Sequence, residues 1–497
     1  MPIDLGCSAE VLTDGGPNPN RTMSEDAFRG ILYVMDSLRY DALGCHGGSA
    51  ETPTMDRLAE EGVDFERAYA QAIWTYPSAG SIFTGLYPES HGSQQFDQGL
   101  DPSQPHVADL FAGTDVETAC FSTTLGVSPA RGFDQSFDEF YHLGDGDNGL
   151  RPDIMAELSD TLLPWVERQE GGFFAVVWAM GTHHPYLTPT DEAVESPSSP
   201  HHNRESVPGS QEWMRTLPAD RVGEVRARYD RVVAATDRHL GELIETLEAQ
   251  GDYEATELIL TADHGELFDE HARAEHGGGL PTAAARQLLP ERLQRYYGLF
   301  ERSAFVGHQA IYPYEELIRV PLVVKPRGDR SIPTEAPNGL VELVDLLPTF
   351  ADSADRPLPA GVQGTSLYRQ LDSADPGKER VFSTSQIHGG SLRYRSVTTT
   401  DAKLCRKELD GLAPGDLRDP GGRQSLAGTL LGTDELRVDL PSERPQTAEQ
   451  ETGLSAALER HVRRCREATP GTAPARAGQT VDVDAETEAH LADLGYR

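Results

Sequence analysis

Five short, densely apolar runs, at 31–35, 118–121, 173–179, 258–261 and 320–324, recur along the chain with helical patterns between them. Runs of this length, bounded by turn or charge signals, read as strands buried on both faces, and their alternation with helices requires an α/β sheet with helices against it. The segment 226–250 shows the helical half of the pattern. Its Val232, Val233, Leu240, Leu243, Ile244 and Leu247 share one face, the other face is left to solvent, and the segment leads straight into the run at 258.

With 497 residues and 38% hydrophobic content, the chain can bury a sizeable core. Charge is the second constraint: 80 Asp and Glu stand against 43 Lys and Arg, a formal net of -37, and Lys325, Lys378, Lys403 and Lys407 supply all the ammonium side chains. The carboxylates are spread over helices and loops, so the folded chain repels itself unless salt screens it. That is the pattern of a protein from a salt-accumulating halophile, an acidic mesophilic protein or an acidic partner surface being the alternatives. So negative a surface speaks against nucleic acid as a partner. Cys7, Cys45, Cys120, Cys405 and Cys465 lack C-x-x-C spacing and point to neither a zinc cage nor a disulfide framework. The opening MPIDLGCSAEVLTDGG has no basic or apolar leader region and no stretch approaches a membrane span, so a cytoplasmic location is expected.

Asp36 stands immediately after the run 31–35, and Asp263-His264 just after 258–261. Both positions fall at the carboxyl ends of buried strands, the edge where open α/β sheets bind ligands. Two carboxylates and an imidazole suit Mg²⁺, Mn²⁺ or Zn²⁺. The plainer alternative has Asp36 capping the next helix and Asp263-His264 as an ordinary strand-to-loop pair. Thr75 lies in WTYPSAGSIFTGLYPESHG, ahead of a helical run at 78–86 whose first turn suits Pro77. A hydroxyl there faces the positive end of the helix, where free N–H groups stabilise an alkoxide and the oxygens of an anionic ester. A simple N-cap threonine is its alternative.

The segments VMDSLRYDALGCHG, TPTMDRLAEEGVDFERAYA, TYPSAGSIFTGLYPESHG, THHPYLTP, YDRVVAATDRHLGELIETL, LILTADHGELFDEH, GHQAIYPYEELIRVPLVVK, VELVDLLPTF and the closing LADLGYR resemble, in order, the sulfatase family of the alkaline phosphatase superfamily. The resemblance implies an alkaline-phosphatase-like mixed sheet flanked by helices and a smaller C-terminal subdomain. The division expected is an N-terminal extension 1–27, a catalytic domain 28–374 and a C-terminal subdomain 375–497, irregular over 411–478 apart from a helical stretch at 454–464. It also implies one divalent cation, Mn²⁺, Mg²⁺, Ca²⁺ or Zn²⁺, at Asp36, Thr75, Asp263 and His264, with Thr75 the nucleophile. Substrate contacts are implied for His183, with His184 as competitor, and for His308. Glu266 is expected to orient a ligand from behind.

Departures from the family pattern carry as much weight. Sulfatase nucleophile motifs read C-x-P-S-R or S-x-P-S-R, whereas this chain has Thr75-Tyr76-Pro77-Ser78-Ala79 and so loses both the formylglycine precursor and the arginine. No formylglycine is expected. Ser37 stands where a second ligand aspartate is common, and the lysine expected shortly before His308 is absent. Threonine nucleophiles resemble the branches that cleave phosphodiesters or transfer phosphate-containing head groups. The D-x-x-G-H-x-x-G spacing of two-metal members is not found; His271, His276 and His308 with Asp269 or Glu270 are the remaining candidates for a second ion. The function expected is a divalent-metal-dependent hydrolase of phosphodiester or phosphonate esters, small molecules or head groups. Sulfate-ester hydrolysis, head-group phosphotransfer and a catalytically silent binding protein are the alternatives. Oligomeric state leaves no trace in these motifs.

Overall fold

β1 (Arg29–Met35), every residue of it buried, runs through the middle of a seven-stranded sheet in the computed structural model. The structure describes residues 27–95, 98–143, 151–188, 219–271, 306–308, 312–328, 330, 339–371, 377–386, 392–409, 435–439, 448–467 and 479–480. With β2 (Val63–Asp64), β3 (Val116–Ser122), β4 (Glu139–His142), β5 (Gly172–Ala179), β6 (Thr256–Ala262) and β7 (Leu322–Lys325), the sheet order is β2-β7-β6-β1-β5-β3-β4. β1 pairs in parallel with both β5 and β6, from Arg29 opposite Phe173 and Thr256 to Met35 opposite Ala179 and Ala262. β3 is parallel to β5 and to β4, and β7 runs antiparallel to β6 and β2, so the sheet is mixed, as expected. β1, β5 and β6 are buried on both faces, which is why their sequences are near-continuous apolar runs.

Helices α1 (Pro53–Glu61), α2 (Thr75–Thr84), α3 (Ile154–Glu167), α4 (Val222–Gln250) and α5 (Leu346–Ser353) cover the sheet, with α1 and α3 packed on α4 and α2 on α5. α4 buries Val232, Val233, Leu240, Leu243, Ile244 and Leu247, the face its periodicity marks, together with Tyr229. The run 320–324 behaves differently from the single strand expected. Pro321 has no N–H to give a ladder, and the chain divides there: Arg319–Val320 pairs with Ala68–Tyr69 in a small three-stranded sheet, and β7 enters the main sheet.

Beyond 375 the chain builds a second, antiparallel sheet from β8 (Val381–Gln386), β9 (Leu392–Thr398), β10 (Ala402–Leu409) and β11 (Glu435–Asp439). β11 and α6 (Ala448–Glu467) both fall within 411–478, so the helical stretch at 454–464 is longer than its sequence signal and the segment holds a strand as well. Leu454, Leu458 and Cys465 of α6 pack with Tyr87, Phe382, Val397 and Leu404. Arg395 of β9 is buried against Glu89 at 2.8 Å, which ties this sheet to the turn Pro88–His91 that follows α2. The Pro- and Gly-rich segment 355–364 is an irregular connection, whereas 190–209, nearly all of 272–306 and the closing LADLGYR lie outside the described residues. No helix among the described residues is long and apolar enough to cross a membrane.

Candidate active site

The carboxyl ends of β1, β5 and β6 meet the start of α2. Asp36 lies one residue beyond β1, and its N–H donates to Ala179 O at the end of β5, 2.9 Å away. Asp263 and His264 follow β6 directly. Thr75 is the first residue of α2, and its hydroxyl does not cap the helix: the N-cap is Trp74, and Thr75 Oγ1 donates to Asp36 Oδ2 at 3.0 Å and lies 3.4 Å from His264 Nε2. Asp36 is no cap either, since the next turn, Tyr40–Ala42, is preceded by Arg39. Ser78 Oγ donates to Asp263 O at 2.5 Å and fixes the first turn of α2 against β6. Behind α2, His91 sits with Nε2 3.1 Å from Pro77 O and accepts the Ser93 N–H at Nδ1. Burial pushes the His91 imidazole down to about 4, so it stays neutral and can accept there. Gly265 is forced by close approach, since a Cβ would stand 2.0 Å from Glu316 O.

Asp36, Asp263 and His264 are fully buried, with ligand atoms within 4.8 Å of one another. Ser37, at φ 62, adopts the left-handed conformation that side chains rarely take, held by the Tyr229 hydroxyl donating to its carbonyl at 2.9 Å. In that posture the Ser37 N–H donates to Asp263 Oδ1 at 3.1 Å and its hydroxyl to Asp36 Oδ1 at 3.0 Å. The His264 N–H also reaches Asp263 Oδ1, at 2.8 Å, which leaves Asp263 Oδ2 buried and accepting no hydrogen bond of ordinary geometry. Burial first, and then the charge of Asp36, pushes the Asp263 carboxyl well above the usual carboxylate range. At Asp36 burial pushes up too, but the imidazoles of His183, His264 and His308 and the Trp178 indole, donating at 3.2 Å, hold its carboxyl below that range. Two facing carboxylates, one with a buried oxygen that lacks a hydrogen bond and lies 3.4 Å from His264 Nε2, beside an imidazole and a hydroxyl, form a donor set that fits a divalent cation.

Two further histidines expected at the site arrive from other places. His183 follows the turn Met180–Thr182 at the end of β5, and its Nδ1 is 2.6 Å from His184 O. His308 places Nδ1 3.2 Å from Glu266 Oε1, and its ring lies 5.2 Å from that of His183 and 4.4 Å from that of His264. Burial pushes the His308 and His184 imidazoles well below 6.5 and the Glu266 carboxyl up to about 7. Glu266 also accepts the Tyr186 hydroxyl at 2.8 Å and sits behind His308, where an orienting group belongs. Asp36, Thr75, Asp263, His264, His183 and His308 are thus gathered in one place, with His184 beside them. Trp178 and Tyr186 are additions; a lone tryptophan near the end of the apolar strand β5 was the only sequence signal for the first. The second-ion set built on His271 is not assembled here, because His271 Nε2 bonds Glu316 Oε2 at 2.9 Å, Glu270 pairs with Arg39, and His276 lies outside the described residues.

Residues 30–355 match the family model described as Sulfatase. The chain is 24% identical over 433 residues to the ulvan-active sulfatase of Formosa agariphila, an alignment covering 80% of this chain and 77% of that protein. It is 24% identical over 368 residues to the low-salt glycan biosynthesis sulfotransferase Agl7 of Haloferax volcanii, covering 72% of this chain and 69% of the other. The phosphonate monoester hydrolase SpPMH from Silicibacter pomeroyi superposes with a TM-score of 0.57 at 18% identity, over 88% of this chain and 94% of its own, a likeness of fold. With a family match spanning the whole of the central sheet, the chain belongs to the sulfatase family of the alkaline phosphatase superfamily.

Proposed function

We propose that this chain is a divalent-cation-dependent hydrolase of phosphodiester or phosphonate esters with Thr75 as its nucleophile. One observation carries the reading: at the nucleophile position stands a residue that cannot become an aldehyde, its hydroxyl at the N-terminus of α2 and 3.0 Å from Asp36. Asp36, Asp263, His264 and Thr75 Oγ1 would hold the ion, and when bound a divalent cation there lowers a hydroxyl pKa and neutralises ester oxygens. Thr75 Oγ1 forms a bond to phosphorus as the bond to the leaving oxygen breaks, and its proton passes toward Asp36 Oδ2. The positive end of the α2 dipole supports the non-bridging oxygens, and His183 or His308 assists the departing oxygen. Water then attacks the phospho-threonine and restores the hydroxyl.

Sulfate-ester hydrolysis is the second reading, favoured by the names of relatives such as the ulvan-active sulfatase. An unmodified threonine has no second hydroxyl with which to expel sulfate, so a sulfo-threonine would await slow hydrolysis. The deciding experiment is a metal-replete assay in multimolar salt that compares an aryl phosphodiester, a phosphonate monoester and a sulfate ester, with intact mass measured across Thr75. Faster sulfate turnover by protein with unmodified Thr75 would overturn the phosphorus reading.

A further inference from the structure

We propose that Cys45, His46 and Asp64 form a metal site for a borderline dication such as Zn²⁺, at the edge of the sheet and made of none of the residues around Thr75. It stands on its own geometry and does not depend on the phosphoryl-transfer reading above.

Three different donors come together here from two places in the chain. The turn Gly44–His46 supplies a sulfur and an imidazole nitrogen, and Asp64, the last residue of the edge strand β2, supplies a carboxylate. Their ligand atoms all lie within 4.8 Å of one another. The backbone that carries them is already fixed. The Gly44 N–H donates to Thr52 Oγ1 at 2.8 Å and the Cys45 N–H to Asp56 Oδ1 at 2.9 Å, both at the start of α1, while Asp64 pairs with Val323 of β7.

The imidazole is oriented as metal-bound histidines are. Its ring stacks on that of Tyr40, with centroids 3.8 Å apart, and its Nδ1 lies 2.9 Å from Tyr40 O. A carbonyl can only accept, so Nδ1 carries a hydrogen and Nε2 is the atom turned to the cluster, 2.6 Å from Asp64 Oδ2. The other carboxylate oxygen, Asp64 Oδ1, is buried and accepts no hydrogen bond among the described residues. A buried acceptor without a donor is a place that an ion or its bound water would satisfy. Cys45 is exposed, which leaves an open side where water completes the coordination.

Sulfur, nitrogen and oxygen together favour Zn²⁺ and its borderline neighbours over Mg²⁺ or Ca²⁺. Binding expels two hydrogens, one from the Cys45 thiol and one from His46 Nε2. Burial pushes that imidazole down, but the bond to Asp64 and the Cys45 side chain hold it up to about 10, so a proton competes with the ion. The ion's advantage is that it bonds the sulfur and the carboxylate as well. Tetrahedral Zn²⁺ sets nitrogen and oxygen ligands roughly 3.3 Å apart, so the His46–Asp64 pair opens by less than about 1 Å as the ion replaces the hydrogen. Once bound, the ion pins the turn that follows β1 to the edge strand.

The test titrates the full chain, stripped of metal at pH 8, with Cd²⁺, which reports a bound thiolate by a sulfur-to-metal charge-transfer band. The Asp36–Asp263 centre has no sulfur and stays silent, and Cys120, Cys405 and Cys465 are buried. One equivalent of band is expected in the wild type and in Cys7→Ser and none in Cys45→Ser, with binding about tenfold or more weaker in His46→Gln and Asp64→Asn. Zn²⁺ should in turn slow alkylation of Cys45 by about tenfold or more, read by peptide mass. Because the Cys45 side chain is exposed, metal-free Cys45→Ser should melt with the wild type. A wild type without the band, or a full band in Cys45→Ser, overturns the site. A band lost in Cys45→Ser but unmoved in both His46→Gln and Asp64→Asn overturns it too, leaving a surface thiol that takes up cadmium unaided.

Discussion

The two ends of β1 and β6 both bury charge, and they treat it in opposite ways. At the amino ends each group has something to answer it: Arg29 lies 3.7 Å from Asp252, and Lys325 donates to Thr256 O at 3.1 Å and to Tyr253 O. Glu257 there is buried without an ion pair, but Tyr368 at 2.8 Å and Ser353 both donate to it. At the carboxyl ends Asp36 and Asp263 face each other, and among the described residues their partners are imidazoles, an indole, short hydroxyls and two backbone N–H groups. Burial raises Glu257 to about 7 and raises Asp263 well above its ordinary range, so the physical push is the same. The lesson is in the remainder: at one end each buried charge has an opposite charge, a carbonyl or a hydroxyl within reach, whereas two carboxylates that face each other gain an opposite charge only when something positive arrives.

The largest effect expected at the unsatisfied end is on chemistry. Thr75→Ala should lower phosphodiester turnover on the order of 10⁴-fold or more with metal content little changed, and Thr75→Ser should retain part of it. Turnover surviving in Thr75→Ala, measured with an aryl phosphodiester, would remove the nucleophile from this end of the sheet.

His308→Gln and His183→Gln come next. Each should cost about 10²- to 10³-fold, and more for esters with poor leaving groups than for activated aryl esters. An equal loss across leaving groups would place these histidines in binding alone.

Stability separates the two ends by a smaller margin. An acid whose folded pKa is raised contributes most below its unfolded value and loses that contribution as pH rises through the folded one. For metal-free protein at pH 8, Asp263→Asn should therefore raise stability, and adding Mn²⁺ or Zn²⁺ should reverse the order in favour of the wild type. Glu257→Gln should give up to about 3 kcal/mol at pH 8, vanishing as pH falls from about 7 toward 4, with or without metal. Urea melts at pH 4 and 8, with chelator and with metal, read both; a metal-dependent effect at Glu257 would erase the distinction.

The smallest expected difference concerns salt. The net charge of -37 should make melting temperature climb between 0.1 and 3 M KCl, by roughly 10 °C. Wild type, Asp263→Asn and Glu257→Gln should climb together, because buried groups are little screened. A flat profile would argue against halophilic adaptation, and divergent profiles would show the Asp36–Asp263 end open to solvent.

The regions differed in how plainly their residues announced them. β1, β5 and β6 are buried on both faces, so each is an apolar run with the polar site residue at its exit. In β9, LRYRSVT, and β10, AKLCRKEL, charged residues interrupt the apolar ones, and that interruption concealed two strands of the C-terminal sheet. The run 320–324 misled for a local reason, a proline that breaks one strand into members of two sheets. At the site, Asp36, Thr75, Asp263 and His264 had strand ends or a helix start to mark them, whereas Trp178 and Tyr186 had no such mark.

By itself the sequence determined an α/β sheet, a set of polar residues leaving its buried strands, and a threonine at the head of a helix, because burial and periodicity are written in successive residues. Tertiary structure alone decided that Asp36 faces Asp263, that Ser37 turns its N–H toward that carboxylate, that the Trp178 indole reaches Asp36, and that His308 joins His183 and His184. Those relations depend on how β5 and β6 flank β1 and how α2 seats on Asp263, distances set by the packing of segments far apart in the chain.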